Sequence, residues 1–171
     1  MNKLKHITLK NFISENGKEN ERIQLSYEIF GQELHSAPVV LINHALTGNS
    51  NVAGDSGWWN DLVGKNKIIN TEEYTILAFN IPGNGYDGFV IDNYKDFEAR
   101  DIANIFLLGL GELKIKELFA LAGGSLGGGI AWEMAIINTV DIQHLILIAT
   151  DWKSTDWLIA NCRIQEQILS N

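Results

Sequence analysis

The chain has 171 residues, 46% of them apolar and 20% charged. That is enough for one globular domain with its own core, and it excludes an intrinsically disordered chain. The formal net charge is −8 with no Lys/Arg cluster, which argues against a nucleic-acid partner.

No apolar run approaches the ~20 residues of a membrane span, and the opening "MNKLKHITLK" lacks the apolar centre of a signal peptide. A membrane partner is therefore not expected, and a cytoplasmic protein is the default expectation. Cys162 is the single cysteine, so neither an intrachain disulfide nor a thiolate metal cluster is available.

In chain order, Thr8 to Phe30 predicts two strands joined by the polar turn "SENGKENE". Within it "IQLSYEIF" alternates as a half-buried antiparallel strand does. "PVVLIN" (Pro38 to Asn43) and "YTILAFN" (Tyr74 to Asn80) are short continuous apolar runs, the pattern of buried parallel strands. A helix follows from about Asp96 to Leu113, with Ala99, Ile102, Phe106 and Leu110 at helical spacing. The strand "LFALAG", a helix after Ser125, the strand "HLILIAT" (His144 to Thr150) and a last helix from about Ser154 complete the chain. This rhythm predicts an α/β fold: a mostly parallel sheet with helices on both faces, in one domain.

The junction Gly123-Gly124-Ser125-Leu126-Gly127 satisfies G-x-S-x-G between a predicted strand and a predicted helix. That is the context a nucleophile elbow requires. A serine on so sharp a turn is held in a strained conformation with its hydroxyl raised clear of the sheet. Side chains at Gly123 and Gly127 would collide where strand and helix cross. The helix start offers unpaired N–H groups and a positive dipole end where an oxyanion would form. Ser125 is the candidate nucleophile, with the Leu126 amide as one oxyanion donor. A plain glycine-rich turn is the blander alternative. No G-x-G-x-x-G and no Gly-Lys-Ser/Thr starts at this strand end, so dinucleotide and P-loop readings fail.

A second oxyanion donor is expected from the loop "HALTGNSNVAG" after "PVVLIN". The backbone N–H of Leu46 is the candidate. His44 is a tempting base, but it lies at a strand end ahead of the nucleophile and fits a hydrogen-bonded structural residue better. Trp58 and Trp59 could be core or pocket wall, and no role is assigned to them.

The segments "LINHALTGNSNVAG", "GWWNDLVGKNKIINTEEYTILAFN" and "LAGGSLGGGIAWEMA", in this order and spacing, resemble the homoserine O-acetyltransferase family of the α/β-hydrolase fold. The likeness runs from about Val39 to the end of the chain. It implies an acyltransferase that takes acetyl from acetyl-CoA onto Ser125 and passes it to the hydroxyl of homoserine. Leu46 and Leu126 would supply the oxyanion amides and Thr47 would border the substrate. Acetyl-CoA enters as acyl-donor substrate, and no bound cofactor or metal is expected. The family's catalytic Asp and His lie far downstream of the nucleophile.

Within this chain the triad is incomplete. α/β-Hydrolases run Ser, then Asp or Glu, then His, and the only later histidine, His144, opens its strand instead of following it. His6, His35 and His44 precede Ser125. Asp151 stands at the correct strand end but is matched by the family to a substrate or lid region. "HLILIA" is apolar at nearly every position, as in a strand with neighbours on both sides. As a last strand it would leave a flat apolar edge that favours self-association, as a homodimer or aggregate. The closing helix carries Trp157, Ala160, Ile164 and Ile168 on one stripe with nothing left to pack on. The expectation is the N-terminal part of a single α/β-hydrolase domain about twice as long, inactive alone, with about 154–171 starting a lid helix. The alternatives are a serine ester hydrolase with the same elbow, and a non-catalytic interaction module. The intact nucleophile and elbow glycines speak against the module.

Overall fold

The computed structural model describes residues 4–170. Strands β1 (Lys5–Ile13) and β2 (Glu19–Gly31) form the antiparallel hairpin the sequence predicts, paired from Lys5↔Tyr27 to Ile13↔Glu19. Gly17, at φ 79°, closes its turn in a conformation that costs glycine little. β3 (Val39–Asn43), β6 (Thr75–Phe79), β7 (Glu117–Gly124) and β8 (Asp141–Ile148) are parallel, and the six-stranded order is β1-β2-β6-β3-β7-β8. β3 therefore sits between β6 and β7, and all five of its residues are buried.

Side chains alternate across this sheet as the strand period demands. Val39, Leu41, Leu77 and Phe79 face a core that also holds Ile102, Phe106, Leu110, Ile130 and Met134. Those last five residues belong to helices α1 (Ala99–Glu112) and α2 (Leu126–Ile137). Val40, Ile42, Ile76 and Ala78 face the opposite core with Val52, Ala53 and Val63. Sequence pattern places helices on both faces. Among the described residues, α1 and α2 share one face. The other is covered by an irregular segment that carries a small parallel pair, β4 (Val63–Gly64) and β5 (Ile69–Asn70). Two-residue strands are too short for alternation to reveal.

α1 starts three residues later than its apolar spacing predicts. Glu98 and Asp101 form a reciprocal capping box there, which satisfies amides that the helix leaves unpaired. A 3₁₀ turn at Tyr94–Asp96 precedes it. β8 starts three residues earlier than predicted, because Asp141 and Ile142 continue the ladder with Glu117 and Leu118.

Among the described residues β8 pairs only with β7. Ile142, Leu145 and Leu147 pack on the helical core, while Ile146 and Ile148 are exposed. The strand buried on both faces that the apolar run implies is not present here. α3 (Asp156–Leu169) is capped by Thr155 and has no buried residue. No described helix is long and apolar enough to cross a membrane.

Candidate active site

β7 runs straight into α2 with one residue between them, Ser125, at φ 51° and ψ −120°. A non-glycine residue seldom occupies positive φ, at a cost of about 1–3 kcal/mol. The surroundings enforce it. The Ser125 amide donates to the Ile148 carbonyl at 3.0 Å, and the Ser125 carbonyl accepts from Gly128 and Gly129. A side chain at Gly123 would overlap the Gly127 carbonyl, and one at Gly127 would overlap the carbonyls of Asn43 and His44. Strand, helix and the end of β3 thus meet at backbone contact, and only glycine allows it.

The result is an exposed serine hydroxyl at the carboxyl edge of the parallel strands. Among the described residues that hydroxyl has no hydrogen-bond partner. The register Asn43↔Gly123 and Gly124↔Ile148 brings the ends of β3, β7 and β8 to the same rim. This is where α/β sheets gather their ligand sites.

Leu46 and Thr47 are the exposed central residues of a turn closed by the Gly48 amide donating to Ala45 at 2.9 Å. The turn begins just beyond Asn43 and His44, the residues that touch Gly127. Among the described residues, the amides of Leu46 and Leu126 donate to no protein acceptor. Leu126 opens α2, so its unpaired N–H also carries the positive end of the helix dipole. The structure therefore brings Ser125, Leu126 and the Leu46–Thr47 turn to one rim.

His44 is buried, and both ring nitrogens are engaged. Nε2 accepts from the Ile81 amide at 3.0 Å, which leaves Nδ1 to donate to the Ala45 carbonyl at 2.7 Å. Burial lowers its pKa, offset in part by the Ala45 bond. The ring is a structural bridge between two loops, as its position ahead of Ser125 implies.

The other histidines lie away from the serine. His144 pairs opposite Ala120, four residues before Ile148, or roughly 13 Å down the strand. There it stacks edge-on against Phe119 at 4.9 Å. His6 lies in β1, 3.9 Å from Asp87. His35 is at positive φ in the loop leading to β3, at the opposite end of the strands. Asp151 follows β8 at the correct edge, exposed beside Trp132 and Glu133. Trp58 and Trp59 stack on each other at 4.9 Å; Trp59 packs on the core, and the Trp58 indole donates to the Asn49 carbonyl at 2.8 Å.

Sequence reasoning overlooked three buried polar residues near this rim. Asn43 donates to the Gly127 carbonyl at 3.4 Å, and its Oδ1 has no partner among the described residues. Ser50 and Asn80 bond to each other. Each follows an apolar run or a loop as an ordinary polar residue would, so no local signal marks them. No described group of three or more His, Cys, Asp or Glu could hold a metal ion.

A mostly parallel sheet that lifts a strained serine on a strand–helix elbow defines an α/β protein of the hydrolase class. The chain belongs to the alpha/beta hydrolase fold family, whose model matches residues 38–162.

Within it, the chain is 34% identical to a homoserine O-acetyltransferase of Desulfotalea psychrophila over 92% of its own length and 46% of that relative. It is 32% identical to a homoserine O-succinyltransferase of Neisseria gonorrhoeae over 93% of its length and 48% of that protein. Among solved structures, the homoserine O-acetyltransferase of Staphylococcus aureus superposes with TM-score 0.84 at 25% identity, covering 98% of this chain and 52% of that one. The chain spans about half the length of these relatives.

Proposed function

We propose that the chain carries the nucleophile half of a homoserine O-acyltransferase-like active centre. The observation that carries this reading is the elbow: Ser125 at positive φ, at the start of α2, on the rim it shares with the Leu46 turn. In the proposed reaction the Ser125 Oγ attacks the thioester carbonyl of an acyl-CoA, acetyl-CoA in the first instance. The carbonyl oxygen becomes an oxyanion that the Leu46 and Leu126 amides stabilise. Collapse expels the CoA thiolate, which takes up the proton that Ser125 gave to a base on attack, and leaves acyl-Ser125. The homoserine hydroxyl then attacks the acyl-enzyme, transferring its proton to a base as Ser125 is released. Thr47, exposed beside Leu46, borders the acyl acceptor. The succinyl-transferring relative supports a broader donor class, in which pocket shape selects acetyl or succinyl.

A serine is a weak nucleophile until a base takes its proton; His44, whose backbone meets Gly127, has both ring nitrogens engaged with Ala45 and Ile81, and His6 and His144 lie elsewhere on the sheet. We therefore propose that residues 1–171 do not turn over alone, and that an acid and a histidine beyond them complete the site. In this reading the chain is the N-terminal part of a single α/β-hydrolase domain, and α3 begins a lid.

The test supplies the missing base chemically. The chain is incubated with acetyl-CoA and imidazole, with and without homoserine, and its peptides are weighed by mass spectrometry. Acetyl on the Ser125 peptide, absent from Ser125→Ala and discharged by homoserine to O-acetylhomoserine, is expected. Acetylation that persists in Ser125→Ala would end the nucleophile assignment. Acetate release unaffected by homoserine would replace the transferase with a serine ester hydrolase.

A further inference from the structure

The turn that presents Leu46 is tied down by groups outside the elbow. At its start, the His44 ring bridges the Ile81 amide and the Ala45 carbonyl. At its end, the Asn49 carbonyl accepts from the Trp58 indole at 2.8 Å. Between them the Gly48 carbonyl accepts from Asn84 at 3.5 Å. The strongest tie is the next residue. Ser50 is fully buried; its amide donates to Asn80 Oδ1 at 2.8 Å and its hydroxyl to Glu28 Oε2 at 2.6 Å. Asn80 Nδ2 in turn donates to the hydroxyls of Ser50 and Ser26, both at 2.9 Å.

Ser26 and Glu28 lie in β2, Asn80 follows β6, and Ser50 lies in the segment between β3 and β4. All four are buried. An apolar cluster could fill this space without the desolvation that polar groups bring, so a fully bonded network here serves geometry more than stability. Its geometric effect is one-sided. It fixes the loop after β3 against the two strands on the far side of β3 from the elbow. The amides of Leu46 and Thr47 are left with no described acceptor.

We propose that Asn80 is a positioning residue. Through the Ser26–Asn80–Ser50–Glu28 network it sets the Ala45–Asn49 turn, and so holds the Leu46 amide in place for an oxyanion on Ser125. The inference rests on the oxyanion role proposed above for Leu46. Loop amides that stabilise developing charge are effective only when held still beforehand, and Asn80 supplies that rigidity without touching substrate.

The experiment is carried out on the full 171-residue chain by ¹⁵N relaxation. Wild type is compared with Asn80→Leu, with the milder Ser50→Ala, and with Leu118→Val, which loosens the core away from the loop. In wild type the order parameters of Leu46, Thr47 and Gly48 are expected near about 0.85, and in Asn80→Leu below about 0.6, while Leu126 stays rigid. Ser50→Ala moves the same residues in the same direction and decides the matter should Asn80→Leu not fold. Leu118→Val leaves them unchanged. Rigid Leu46 and Thr47 in both loop variants would overturn the proposal. A second readout is phenylboronic acid, which forms a tetrahedral adduct with an elbow serine. Its affinity is expected to fall about tenfold or more in Asn80→Leu and to hold in Leu118→Val. Equal affinity in Asn80→Leu and wild type would also overturn it. If wild type itself binds no boronic acid, as a serine without its base allows, the order parameters alone decide the role of Asn80.

Discussion

The Ser125 amide donates to the carbonyl of Ile148 at 3.0 Å, so the tip of the elbow hangs on the last residue of β8, an edge strand among the described residues. The helix side is fixed as tightly, because Gly128 and Gly129 both donate to the Ser125 carbonyl. A residue held at φ 51° from both directions stores strain that its neighbours maintain.

Relief of that strain is measurable. Ser125→Gly removes a penalty of about 1–3 kcal/mol and gives back about 0.5–1 kcal/mol through the freer unfolded chain. A net gain of about 1 kcal/mol is expected, or a Tm rise of about 2–4 °C in a chain of this size. Ser125→Ala keeps the strained Cβ and should melt close to wild type. Calorimetry on the two variants checks the difference; equal melting temperatures would show that Ser125 is not strained. Neither variant can form an acyl-serine.

Two glycines of α2 should respond oppositely to the same substitution. A Cβ at Gly127 overlaps the backbone carbonyls of Asn43 and His44, which cannot rotate away. Gly127→Ala is expected to destabilise by about 1–3 kcal/mol, as overpacking does. A Cβ at Gly129 meets nothing within 4 Å, so Gly129→Ala should stabilise by up to about 1 kcal/mol through helix propensity. Urea midpoints at matched m-values report both signs.

His44 should make stability fall on acidification. Its folded pKa is lowered from 6.5, first by burial, so between the two values the unfolded chain binds a proton that the folded chain refuses. The His44 contribution is fully present above pH 6.5 and declines as pH drops from there toward the folded pKa. Urea midpoints at about pH 7.5 and about pH 5.5 measure the slope. His44→Gln should reduce it; an unchanged slope would place the acid sensitivity in other groups.

α3 should open independently of the sheet. It has no buried residue, and Thr155 caps it through the Leu158 amide at 3.2 Å. A 14-residue helix without packing is marginal in water. Its amides should exchange far faster than those of α2. Thr155→Ala should cost α3 about 1 kcal/mol and leave the global unfolding midpoint unchanged.

The elbow and the strand–helix rhythm are local properties, and the amino acids alone determine them. Gly123 and Gly127 flank Ser125 at the spacing where a strand folds back into a helix. The runs Val39–Asn43 and Thr75–Phe79 are buried throughout because all but one residue in each is apolar. The apolar run "HLILIA" was legible as a strand, and among the described residues β8 pairs only with β7 and exposes Ile146 and Ile148. Tertiary structure decided the rest. The strand order puts β3 between β6 and β7, so that the Leu46 turn lies beside an elbow about eighty positions later. It also placed the irregular segment, in preference to a helix, over the second face. Asn80 and Ser50 are separated by 30 positions, and His44 reaches Ile81 across 37. No periodicity encodes such pairs, because their partners are chosen by which strand ends share a rim. Local sterics and hydrophobic period wrote the elements; non-local hydrogen bonding at the sheet's carboxyl edge arranged the site.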